Sequence, residues 1–140
     1  MDRYCVDINV FIEAKNGPYG FDIVPAFWSW IDAKVTAGLL YSTVTVYQEL
    51  AAGNDELASW AKDRRHTDLF VPATEETQLH FRSIATYVMN QYETAHAETF
   101  LGGADPWVIA QSITDQSVLV TREATVNAFS KKVKIPNICQ

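Results

Sequence analysis

Cysteine is scarce in this chain: Cys5 and Cys139 are the only two among 140 residues. Two thiols are too few to staple a fold, which excludes a disulfide-built secreted scaffold. No charged segment leading into an apolar one opens the sequence, so export has no support and a cytoplasmic protein is expected. Long hydrophobic runs are also missing. The longest fall far short of the roughly 20 residues that a membrane helix needs, so no membrane contact is expected. Positive charge is limited as well, with 11 Lys and Arg against 17 Asp and Glu and a formal net charge of -6. That balance argues against coating nucleic acid by bulk electrostatics and leaves only local contact. Neither an internal repeat nor a low-complexity tract is present.

What is present is enough apolar material, 48% of residues, to build a core, and the length suits one domain over residues 1–140. Short apolar runs alternate with helical patterns. Tyr4-Cys5-Val6 leads into Asp7 and the apolar Ile8 to Ile12, and the chain then turns toward a helix. Asp22 is placed to cap a helix whose apolar stripe is Phe27, Trp30, Ile31 and Val35 and which Gly38 closes. Leu39 to Ser42 reads as a second strand, with Ser42 or Thr43 capping a helix that carries Glu49. An exposed helix over residues 54–65 precedes a short strand, Leu69 to Val71, that Pro72 stops. Thr74 then caps a longer helix with a core stripe of Phe81, Ile84, Ala85, Val88, Met89 and Tyr92. Gly102-Gly103 breaks the chain before a helix opened by Asp105-Pro106. Val118-Leu119-Val120 reads as a buried strand ending at Thr121-Arg122-Glu123, and Val133 to Pro136 as a last one. This alternation predicts a parallel α/β sheet of four to five strands covered by helices on both faces.

Asp7 and Glu123 fall at the carboxyl ends of strands, where ligands bind in open parallel sheets, Asp105 falls at the amino end of a helix, and Glu49 rides on the helix after the second strand. Carboxylates are costly to hold together unless a cation offsets their repulsion, and hard oxygen donors suit Mg²⁺ or Mn²⁺. The four acids are therefore the candidate metal ligands and catalytic residues, and the chemistry they point to is phosphodiester hydrolysis. Asn9 and Thr121 are placed to hydrogen-bond to the carboxylates and fix their rotamers. Lys15 and Arg122 are the candidates for contact with a substrate phosphate.

Asp7 to Ile12, Glu49 on the third helix, Ala104-Asp105 opening a helix and Thr121-Arg122-Glu123 after a strand resemble the PIN-domain nucleases. More narrowly, Tyr4 to Asp7, Phe27-Trp28-Ser29-Trp30, Ala104 to Trp107 and Lys134 to Asn137 resemble a PIN-like family known as DUF4411. The resemblance implies a three-layer α/β/α fold and a Mg²⁺- or Mn²⁺-dependent endoribonuclease, often a VapC-like toxin of a type II toxin-antitoxin pair. It implies RNA as substrate, an antitoxin protein as partner, and Asp7, Glu49, Asp105 and the more variable Glu123 as the acids. The narrower family usually continues past Cys139 with a further helical stretch. A shortened carboxyl terminus that exposes apolar surface is expected to be covered by a second copy of the chain, giving a homodimer.

Other side chains read as structural. His66, His80 and His96 lack a paired metal spacing and are expected on surfaces or in helix packing. Trp28, Trp30, Trp60 and Trp107 are expected in the core or at a partner interface before base stacking. Lys131, Lys132 and Lys134 read as a solvated strand edge, and Cys5 as a buried small hydrophobe. Two rival functions remain. A phosphoryl-transfer enzyme of the haloacid-dehalogenase pattern needs an Asp at position 9, which here is Asn9. A catalytically weak PIN-like module that binds a protein partner is the alternative.

Overall fold

The computed structural model describes residues 2–17, 20–121 and 135–139. β1 (Tyr4–Val6) is too short to stand alone and is held between two neighbours. It pairs in parallel with β2 (Leu40–Thr43) on one side and with β4 (Val118–Val120) on the other. β3 (Phe70–Val71) pairs in parallel with β2, so the order across the four-stranded sheet is β3-β2-β1-β4. Parallel neighbours need long crossovers, and helices supply them.

From β1 the chain crosses to β2 through α1 (Ile8–Asn16) and α2 (Pro25–Thr36). It reaches β3 through α3 (Val44–Ala51) and α4 (Glu56–Lys62). The last crossover, α5 (Glu75–Gln91), α6 (Thr94–Gly102) and α7 (Asp105–Asp115), returns past β2 and β1 to place β4 at the far edge. A short helix, α8 (Ile135–Ile138), packs on α7. Two apolar clusters result. Phe11, Trp28, Ile31, Val46, Leu57 and Trp60 fill the side of α1 to α4, whereas Ile84, Val88, Phe100, Ile109 and Ile135 fill the side of α5 to α8. The fold is thus a three-layer α/β/α arrangement on a wholly parallel sheet. Replacing a side chain as buried as Phe11, 1% exposed, by Ala costs about 3–5 kcal/mol at such a site.

Local chemistry sets the boundaries. Thr43, Asp55 and Thr74 each accept a backbone N–H three residues on and so cap α3, α4 and α5. α2 ends in a Schellman motif: Gly38 N–H donates to Val35 O and Leu39 N–H to Lys34 O. Gly38 sits at φ +76°, where a Cβ is strained, and this reverses the chain into β2.

Several expectations are corrected. α2 is capped by Val24 without a side-chain bond, so Asp22 does not cap it, and Pro25 opens it instead. Trp28, at 4% exposure, faces the core, while Trp30 is 51% exposed. Phe21 stacks on Trp28 and Trp60 meets it edge-on, and these two partners decide which indole turns inward. The α4 helix is not an exposed one, because Leu57, Ala58, Trp60 and Ala61 are buried against α1 and α3. Met89 lies on the solvent side of α5. β4 is an edge strand with Val118 exposed, not a buried one. Ile135 and Pro136 belong to α8 and not to a strand, while Val133 and Lys134 lie outside the described residues.

Candidate functional site

The sheet reverses its winding between β1 and β4. In open parallel sheets such a reversal leaves a crevice at the carboxyl ends of the strands, because neighbouring crossovers leave on opposite faces. Asp7, directly after β1, and Thr121, directly after β4, flank that crevice.

Asp7 is completely buried. Its Oδ1 accepts the Val10 N–H at 3.2 Å, which makes it the cap of α1, and its Oδ2 accepts the Thr121 hydroxyl at 2.6 Å. The Asp7 backbone N–H donates to Val120 O, so the residue is fixed from both sides of the crevice. Carboxylates are rarely removed from water this fully, and hydroxyl and amide dipoles offset part of the cost. Asn9, on the first turn of α1, is half-buried.

Glu49 reaches the amino end of α7, where Asp105 is the first helical residue. Glu49 lies on the exposed side of α3, and its Oε1 accepts the Ala104 N–H at 2.9 Å. Ala104 is the cap residue of α7 and supplies no side-chain bond of its own, so a carboxylate from another helix does the capping. The same oxygen stands 3.4 Å from where a Cβ on Gly103 would be, an ordinary contact distance. Asp105 is the first residue of α7 and is half-buried.

The donor chemistry is all carboxylate oxygen, which suits a hard divalent cation. In placement the three are looser. Among the described residues, no three of His, Cys, Asp and Glu gather closely enough to hold a metal ion. Glu123 and Arg122, the fourth candidate ligand and a candidate phosphate contact, lie outside the described residues, as do Lys131, Lys132 and Lys134. Lys15 is engaged elsewhere: its Nζ pairs with Asp55 Oδ2 at 3.2 Å. It stands eight residues along α1 from Asp7, about 12 Å at 1.5 Å per residue.

Two hydroxyls lie at the same end, and of Ser42 and Thr43, either of which was expected to cap α3, Thr43 does so. Ser42, fully buried, donates to Val6 O at 2.6 Å and ties the ends of β1 and β2 together. Thr43 Oγ1 bonds to Thr45 Oγ1 at 2.7 Å while capping α3. The available signal was a Ser-Thr pair closing an apolar run. The histidines stay on the surface, His80 beside Glu76 and His96 beside Glu93, each as a helical neighbour. Trp107 stacks on Phe81 with ring centroids 4.1 Å apart, and Cys5 is fully buried. No helix among the described residues is long and apolar enough to cross a membrane.

The family model described as a domain of unknown function, DUF4411, matches residues 4–140 of the chain. No curated protein matches it, and no solved structure does.

Proposed function

The chain belongs to the DUF4411 family, and on that footing we propose that it is a Mg²⁺- or Mn²⁺-dependent endoribonuclease, a cytoplasmic toxin of a type II toxin-antitoxin pair. One observation carries this reading: a carboxylate with no solvent exposure, Asp7, at the carboxyl end of a central strand and beside the sheet's reversal. The resemblance to PIN-domain nucleases supports it. Asp7, Asp105 and Glu123 would hold the cation, and Glu49 would coordinate it or orient water through Oε2, since Oε1 serves α7. A bound cation supplies an acidified water and a counter-charge for phosphodiester hydrolysis. Thr121 fixes the Asp7 rotamer, and the Glu49 bond fixes the amino end of α7 on which Asp105 sits. Arg122 is the remaining candidate for the substrate phosphate. The partners in this reading are RNA, an antitoxin protein whose basic side chain meets the acidic end, and a second copy of the chain.

A second reading, a catalytically weak module that binds a protein, is favoured by the looseness of the three described acids. Titration with Mn²⁺ by calorimetry, paired with cleavage of a fluorescent single-stranded RNA, separates the two. Saturable binding and cleavage, both lost in Asp7→Asn, are expected. A folded wild-type chain that binds no Mn²⁺ and cuts no RNA moves the assignment to the second reading.

A further inference from the structure

A groove of about 400 Å³ lies on the side of α1 and α2, and its lining includes Val6, Val10 and Val120, the neighbours of Asp7. Val6 and Leu40 form its floor, Val10 and Ile31 its walls, and Val120 its edge. Its volume lies within the range of small-molecule sites, roughly 300–1,000 Å³. The lining is apolar except for one cation. Lys34, half-buried, stands at the groove with its Nζ 5.8 Å from the centroid of the Trp30 ring. Arg3, Lys15 and Arg64 each reach a carboxylate, whereas no carboxylate among the described residues pairs with Lys34.

An apolar slot with one ammonium group and an exposed indole beside it is complementary to a molecule with a long apolar body and one negative end. We propose that this groove binds an aliphatic monocarboxylate, with the chain against Val10, Ile31 and Leu40 and the carboxylate on Lys34. Burial of the chain supplies the affinity, and the ion pair at a partly desolvated amine supplies the preference for an anion over a neutral alcohol. The inference uses none of the acids Asp7, Glu49, Asp105 and Glu123 and does not depend on the nuclease reading.

Decanoate and decanol are the probes, followed by tryptophan fluorescence and calorimetry on the purified chain. Saturable decanoate binding is expected, with Lys34→Met weakening it roughly tenfold while leaving decanol unchanged, the loss of about one charge-assisted contact. Ile31→Trp, checked for folding by circular dichroism, should abolish both by filling the groove. No saturable decanoate signal in the folded wild type overturns the proposal, as does an equal response of both probes to Lys34→Met. So does a dimer in sedimentation that Ile31→Trp converts to monomer while decanoate gives no signal, which would assign the groove to a second copy.

Discussion

The two ends of the parallel sheet treat their acids differently. At the amino end, Asp32 takes a bidentate pair from Arg64 at 2.7 Å, and Asp115 lies 3.9 Å from Arg3 and accepts from Gln111. Arg64 also covers the Trp60 ring at 4.4 Å, and Arg3 covers the Tyr41 ring at 4.3 Å. At the carboxyl end, the donors on Asp7 and Glu49 described above are a hydroxyl and backbone amides. Partly exposed ion pairs contribute little, about 0–1 kcal/mol, and serve to orient side chains. The described contacts thus set Asp32 and Asp115 against guanidinium groups at the amino end, and Asp7 and Glu49 on hydroxyl and amide dipoles at the carboxyl end.

Four experiments sharpen or break this contrast. The largest effect is expected from Asp7→Asn against Asp32→Asn: the first should lower Mn²⁺ affinity and RNA cleavage by more than about 100-fold, and the second should leave both within twofold. Equal losses in calorimetry would erase the distinction between the two ends. Thr121→Val removes the hydroxyl on Asp7 and should weaken Mn²⁺ binding about tenfold with the fold retained, a size typical of supporting hydrogen bonds. Arg64→Ala should destabilise the chain by about 1–2 kcal/mol in urea, through the ion pair and the packing on Trp60, without changing Mn²⁺ affinity.

The smallest effect is a slope with pH. Burial pushes the Cys5 thiol up from 9.0 to about 12, and burial also raises the Tyr41 hydroxyl. Below pH 9 the Cys5 thiol is protonated in both states. Above pH 9 it ionises in the unfolded chain while the folded one keeps its proton, so stability falls as pH rises from 9 toward 12. By pH 9.5 the loss should be about 1 kcal/mol or less, and Cys5→Ala should show a shallower decline in thermal midpoint. An identical slope in that variant would remove Cys5 as the cause.

Much of the fold was readable where local chemistry decides it. Thr74 caps α5, Gly38 ends α2, and Asp7 follows an apolar triplet, each for reasons within a few residues. What failed depended on distant neighbours. Trp28 and Trp30 are equivalent to a local reading, and Phe21 and Trp60 break the tie. The α6 helix was missed because its cap residue, Glu93, makes no side-chain capping bond, and Ala97 and Phe100 acquire an apolar setting only from α5 and α7. In the site, the acids were legible as types at element ends. Their partners were not: that Glu49 would cap α7 and Thr121 would reach Asp7 follows from strand order, which no short segment encodes.

Strand order also sets a clock. β1 is made well before its partner β4 and the hydroxyl on Asp7, Thr121 being 114 positions on. At ribosomal speeds of about 5–20 residues per second, roughly 6–23 s pass before Asp7 meets that hydroxyl. Until then β1 lacks one of its two neighbours and the crevice has one wall. A nascent chain therefore stays without its finished carboxylate edge until β4 has been made, so any activity of that edge waits for the last strand of the sheet.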